Sequence, residues 1–347
     1  MGGLAARALI LALALAGPAA AAGLDEAKVT ILSFDDLTGW ENDDHAAALT
    51  VFLETCAILD DPQWQPICNL GAAHAGPARQ FFELFFRPVL IEDGADPLFT
   101  AYYEPEILGA RQRSARFAVP VYRKPPELVP GTLWLTREEI ETGDALKGRG
   151  LEIAWVENPV ELQFLQIQGS GRIRLADGSV IRLGYGGSNG HSYSSLGDEL
   201  VRRGVYDRNQ VSAPVIRSWV RRNPAEGADL LLSNPSYVFF REVGQVPADR
   251  GPLGAMNRSI TAHRTLAVDP EYTPLGAPVW LEKRGKHPFD RLMVAQDTGS
   301  RIKGAQRADI FFGTGNEAGR LAGQVRDTGR MVAILPIQRA YALKPEG

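Results

Sequence analysis

Two carboxylates near the C-terminal end of the chain are the residues best suited to chemistry. Asp309 opens the apolar run Ala308-Asp309-Ile310-Phe311-Phe312, and Asp297 closes another in Gln296-Asp297-Thr298-Gly299. An acid set against Ile and two Phe is poorly solvated, which raises its pKa and keeps it protonated near neutral pH. A protonated carboxyl is what a general acid needs to protonate a glycosidic oxygen. The residues alone leave a plainer reading open, with Asp309 as a strand-entry residue bonding backbone N–H groups and Asp297 as a turn residue.

Other constellations are weaker. Asp297-Thr298-Gly299-Ser300 and Asp327-Thr328-Gly329 both spell an aspartic-protease signature, but the thirty residues between them cannot hold a lobe. Gly186-Gly187-Ser188-Asn189-Gly190 matches G-x-S-x-G, and His263 or His287 could complete a triad in chain order. A nucleophile elbow should lead straight into a helix, whereas His191-Ser192-Tyr193-Ser194 follows here. The histidines at 45, 74, 191, 263 and 287 have no metal-ligand spacing, and no Walker or dinucleotide loop is present, so neither metal nor cofactor is expected. Runs mixing Tyr, Gln, Asn, Ser and Gly, such as Tyr102-Tyr103-Glu104-Pro105, Gln166 to Gly171 and Tyr185 to Ser195, suit sugars, which offer apolar ring faces and dense hydroxyls.

The elements that must hold these residues can be read from periodicity and punctuation. Asn42-Asp43-Asp44 can cap a helix whose Ala47, Leu49, Phe52, Leu53 and Cys56 recur at helical spacing. The aromatic cluster from Phe81 to Phe86 reads as core. After Phe99 short β-type runs take over; Val160 to Tyr185 is mixed apolar and polar, with a hairpin turn at Ala176-Asp177-Gly178-Ser179. Helical pattern returns at Ser195–Arg203 and Ala213–Arg222. Five strand-like runs then follow, Thr265–Val268, Pro278–Glu282, Leu292–Gln296, Asp309–Phe312 and Met331–Leu335, punctuated by Pro and Gly. Their spacing predicts a small closed barrel.

The chain has 347 residues, 45% apolar and 22% charged, with a net charge of −4, which excludes a nucleic-acid-binding balance. Residues 1–22 read as a secretory leader: Arg7, the apolar run Ala8 to Ala16, the breaker Gly17-Pro18 and small residues at the cleavage site. The run is shorter than the roughly 20 residues that span a bilayer, and no second candidate for a transmembrane helix follows. In an oxidising compartment Cys56 and Cys68 are expected to form a disulfide, with two free buried thiols as the alternative. A mature chain of this length calls for two domains.

Taken in order, several segments resemble the membrane-bound lytic murein transglycosylase A family. They are Thr100 to Pro105, Leu165 to Gly171, Gly184-Tyr185 with Asn189-Gly190, Asn234 to Phe240, Gly251 to Ala255, Arg264 to Asp269, Ala295 to Gly299, Ile302-Lys303-Gly304 and Arg307 to Gly315. The resemblance covers about residues 98–336. It implies a mainly β fold with N-terminal helices, in which a second β-rich domain is inserted into a double-psi β-barrel and a groove between the two holds a glycan strand. The implied division is 23–107 for the helical part and the first part of the barrel, 108–240 for the insert, and 241–347 for the barrel part with the catalytic Asp. The family's catalytic acid falls on Asp309, with Asp297 in support and Asp269 as a third aspartate. Tyr103, Gln168, Tyr185, Asn189 and Asp269 are the expected substrate-binding residues. Peptidoglycan glycan strands are the implied partner, with cell-wall synthesis or division proteins as further candidates, and a monomer is expected. No cysteine follows the leader's apolar run, so a soluble periplasmic form is expected, with association with the outer membrane or sacculus left open. A hydrolase, or a non-catalytic peptidoglycan-binding scaffold in the same groove, is the rival reading.

Overall fold

The computed structural model describes residues 23–343 apart from Asp60, Gln245 and Ala248; the leader read in residues 1–22 lies outside the described residues. The fold is mainly β with helices at its N-terminal end, and its strands fall into two sheets. Nine strands form the first, in the order Lys28–Ile31, Phe86–Glu92, Gly329–Pro336, Pro278–Lys283, Phe289–Asp297, Thr265–Val268, Arg307–Thr314, Leu98–Glu104 and Arg326–Asp327. The six strands of the second all lie between Glu106 and Glu242, in the order Val119–Tyr122, Glu152–Val156, Glu106–Ala110, Gly171–Arg174, Val180–Ser188 and Val238–Glu242. The chain therefore leaves the first sheet at Pro105 and returns after Glu242.

The N-terminal helices form where the caps and apolar spacing require them. Helix His45–Cys56 begins with the Asp44 carboxylate accepting from the Ala47 amide at 3.0 Å. Helices Gln65–Ala73 and Ala78–Phe85 complete the layer, and Phe81, Phe82 and Phe86 are buried with Trp40, Phe52 and Trp64 against the first sheet. Cys56 and Cys68 are joined by a disulfide that ties the first two of these helices together. The insert contains more helix than its β-rich reading suggests. Besides Leu196–Arg202 and Ala213–Arg222 it holds Arg137–Thr142, Pro224–Leu232 and Pro159–Gln168, the last within a stretch read as β-type. Among the described residues no helix is long and apolar enough to cross a membrane.

Alternation along the central strands separates two faces. Phe99, Leu266, Val268, Ala308 and Ile310 point into the hydrophobic core, so Thr100, Tyr102, Ala267, Arg307 and Asp309 share the other face. Asp297 would fall on the core face with Met293 and Ala295 if its strand were regular. A register shift prevents this: Leu266 pairs with Ala295 while Ala267 pairs with Asp297, leaving Gln296 as the extra residue of a bulge. Gln296 is 1% exposed and held from both sides. Its amide nitrogen donates to Thr55 Oγ1 (2.8 Å) on helix His45–Cys56, and its amide oxygen accepts from the Thr265 hydroxyl.

Candidate active site

The bulge brings Asp297 and Asp309 to opposite sides of Ala267, one on each neighbouring strand. Asp309 stands opposite Thr100 on the parallel strand Leu98–Glu104. The Thr100 hydroxyl lies 2.7 Å from Asp309 Oδ1, and Arg307 Nη2 donates to that hydroxyl at 2.8 Å. Among the described residues nothing engages Asp309 Oδ2. Removal from solvent pushes the Asp309 carboxyl up to about 6; the Thr100 hydrogen bond and the Arg307 charge oppose this rise, and the Asp297 charge adds to it.

Asp297 is held differently. Its Oδ2 accepts from the Tyr102 hydroxyl at 2.8 Å, and its Oδ1 accepts from the amides of Ala255 and Thr298, both at 2.9 Å. Burial raises its pKa and these three donors pull against that. Burial, the Asp297 charge and hydrogen bond, and the Asp309 charge together keep the Tyr102 phenol protonated. Asp297 is thus acceptor-only, whereas Asp309 keeps one oxygen open.

The remaining expected site residues divide into two groups. Tyr103 and Gln168 meet at the junction of the sheets: the Tyr103 amide donates to Gln168 Oε1 at 3.1 Å, and Arg217 Nη2 donates to the Tyr103 hydroxyl at 3.3 Å. Both side chains remain partly exposed, and Tyr185, on strand Val180–Ser188, is 54% exposed. Asn189 and Asp269, expected to bind substrate, are both buried and engaged by partners inside the protein. Asn189 is fully buried; its amide nitrogen donates to the carbonyls of Leu135 and Pro235 (2.8 Å each) and its oxygen accepts from the Tyr237 amide (2.8 Å), so it pins loops of the insert. Asp269 is 2% exposed and accepts from the Gly304 amide (3.0 Å) and Lys303 Nζ (3.2 Å). It holds the Ile302-Lys303-Gly304 loop, where Gly304 takes φ +113°.

The rival motifs are not assembled. Asp327 pairs with Lys283 in a buried ion pair, whereas Asp297 is held by Tyr102, Ala255 and Thr298, and among the described residues no hydrogen bond joins the two aspartates. Ser188 stands opposite Val238 at the end of its strand, and among the described residues no hydrogen bond joins it to a histidine. His263 instead packs edge-on against Phe312, with ring centroids 4.6 Å apart. No cluster of three or more His, Cys, Asp or Glu capable of holding a metal occurs among the described residues. Sequence reasoning covered Thr100, Tyr102 and Arg307 within its motif segments but did not single them out as partners of the two aspartates. The signal was the two-residue period, which puts Arg307 on Asp309's face of one strand and Tyr102 on Thr100's face of the next.

The two sheets correspond to two known domain types, a 3D domain and an MltA-type insert. Residues 264–335 match the 3D domain, and residues 98–241 match the MltA specific insert domain. Membrane-bound lytic murein transglycosylase A of Vibrio cholerae is 32% identical over 266 residues, 72% of this chain and 69% of its own length. The crystal structure of the membrane-bound lytic murein transglycosylase from Agrobacterium tumefaciens superposes with a TM-score of 0.82 at 32% identity, covering 91% of this chain and all of that one. Escherichia coli MltA with bound chitohexaose superposes with a TM-score of 0.73 at 28% identity, over 89% of this chain and 94% of that one. The chain belongs to the lytic murein transglycosylase A family.

Proposed function

We propose that this chain is a periplasmic lytic transglycosylase that cleaves the MurNAc-β-1,4-GlcNAc bond of peptidoglycan without water, with Asp309 as the only catalytic carboxylate. The asymmetry between the two aspartates carries this reading. A carboxyl with a pKa of about 6 and one open oxygen is suited to give a proton and take one back. Asp309, protonated, donates to the glycosidic oxygen as the bond from muramoyl C1 breaks, and the GlcNAc end leaves as an alcohol. The muramoyl C6 hydroxyl then closes onto C1 as its proton passes to the Asp309 carboxylate, which restores the acid and leaves a 1,6-anhydro ring. Asp297 holds Tyr102 and the Ala255 loop beside this centre. Tyr103, Gln168 and Tyr185, all accessible, would grip the strand, and holding a sugar with its C6 hydroxyl near C1 supplies part of the rate enhancement.

The rival hydrolase would use Asp297 to activate water, as in two-carboxylate glycosidases. Three hydrogen-bond donors already engage its oxygens and stabilise the ionised form, which weakens it as a base toward water. Digestion of purified sacculi, read by mass spectrometry, tests the assignment. Wild type should release anhydro-muropeptides, and Asp309→Asn should slow release by at least about a hundredfold while still binding sacculi. Reducing ends without anhydro-sugar would make the enzyme a hydrolase. Binding without turnover in the wild type would make it a scaffold.

A further inference from the structure

A hydroxyl has one proton to give, and a guanidinium can only give. Arg307 Nη2 donates to Thr100 Oγ1 (2.8 Å), and Asp309 Oδ1 (2.7 Å) is the only acceptor that the hydroxyl contacts among the described residues. The Thr100 proton must therefore point at Asp309 Oδ1. Were Asp309 to carry its own proton on Oδ1, two hydrogens would compete for one short contact, or the Thr100 proton would be left without an acceptor. Arg307 is itself fixed, since Nη1 donates to the carbonyls of Ala308 and of Leu98, the latter at 3.3 Å. We propose that Arg307 is a positioning residue: by setting the direction of the Thr100 hydroxyl it reserves Asp309 Oδ1 as an acceptor and places the catalytic proton on Oδ2.

This inference rests on Asp309 being the acid of the proposed reaction, but it concerns which oxygen acts and what holds the other. Its consequence is a preset geometry. The carboxyl need not choose between two protonated forms before each turnover, and the proton stays on the oxygen that no protein group engages. The charged and titratable groups around Asp309 are few. Asp297 and Tyr102 share its face, and Arg326 lies beyond Thr100 on strand Arg326–Asp327, opposite Thr100 in register. Helix Gly315–Ala322 packs on the same two strands, and its Glu317 and Arg320 pair with each other. Glu104, at the far end of Thr100's strand, is held by Arg172 and Arg182.

The test is the pH dependence of sacculus digestion in Arg307→Gln, Arg307→Lys, Thr100→Val and Thr100→Ser. The Thr100 hydrogen bond and the Arg307 charge both favour ionised Asp309, so removing either raises its pKa. The alkaline limb of the rate profile should then move to higher pH, by roughly half a unit to one unit in Arg307→Gln and Thr100→Val. Turnover at the new optimum should fall about twofold, because protonation on Oδ1 then competes on equal terms with protonation on Oδ2. Thr100→Ser, which keeps the hydroxyl, should retain the wild-type midpoint, and Arg307→Lys should fall between. Infrared titration of the Asp309 carboxyl, taken as wild type minus Asp309→Asn, reads the same shift in any variant too slow to assay. If Arg307→Gln does not fold, Thr100→Val carries the test alone. Uniformly slower rates with an unmoved midpoint would reduce Arg307 to a strand support and overturn the proposal. A wild type that forms no anhydro-sugar would instead overturn the reaction on which it rests.

Discussion

Asp309 is kept at a pKa of about 6 because the sheet that positions it also strips it of water, with Thr100 and Arg307 holding the rise in check. That arrangement has a cost in stability whose sign can be worked out. A carboxyl whose pKa is higher folded than unfolded binds its proton more tightly in the native state, so it stabilises the fold at low pH. The benefit is lost as pH rises from the unfolded value near 4 through the folded value near 6. At pH 8 the ionised group is a liability on the order of 2 kcal/mol, allowing for its partial exposure. Asp309→Asn, neutral and of the same shape, should therefore melt several degrees above wild type at pH 8, and the difference should nearly vanish at pH 4. Equal differences at both pH values would mean that Asp309 is not buried in the way its contacts require. An activity-destroying change that stabilises is expected where function demands an unfavourable group.

At the scale of elements, the site depends on the bulge at Gln296, because a regular strand would aim Asp297 into the core. Burying the Gln296 amide is tolerable only with its partners, and one of these, Thr55, belongs to helix His45–Cys56 rather than to the sheet. Thr55→Val keeps the volume but leaves the Gln296 Nε2 unsatisfied, so it should cost about 1–3 kcal/mol. It should also lower turnover by letting the bulge relax; unchanged kcat alongside a lowered Tm would show the bulge to be self-sufficient. The bulge was not legible in the sequence, where Gln296 reads only as an interruption of the apolar run. The strands themselves were legible, since Pro and Gly punctuate 264–336 and the runs between them are short and largely apolar. Helix Pro159–Gln168 was missed because it packs on several elements at once and buries Gln163 and Gln166 beside Leu162 and Leu165, erasing a one-sided stripe. The burial of Asn189 and Asp269 was not legible for a related reason: a polar residue near glycine reads as a ligand contact, yet sequence does not say whether its partners are ligand or backbone.

At the scale of the whole molecule, one carboxylate binds the two sheets together. Glu104 is fully buried at the end of strand Leu98–Glu104, and it accepts from Arg172 at 2.8 Å and Arg182 at 3.3 Å, both on strands of the insert. Thr314, at the end of Asp309's own strand, donates to the same carboxylate at 2.7 Å. Both arginines also donate to the Arg250 carbonyl, on the segment where the chain re-enters the first sheet. Glu104 therefore ties together the strand that carries Thr100, the strand that carries Asp309 and the domain that presents Tyr185 and Gln168. Glu104→Leu leaves Arg182 buried without its counter-charge, a loss expected to cost about 3–5 kcal/mol. The effect should exceed that loss of stability. Hydrogen exchange should rise in residues 249–253 at temperatures where both sheets remain protected, and sacculus digestion should fall before the protein melts. Glu104→Gln, which keeps the shape and two lone pairs, should lie between wild type and Glu104→Leu in both measurements. If Glu104→Leu digested sacculi at the wild-type rate below its melting temperature, the sheets would be held in register by packing alone, and the charge cluster would matter only for stability.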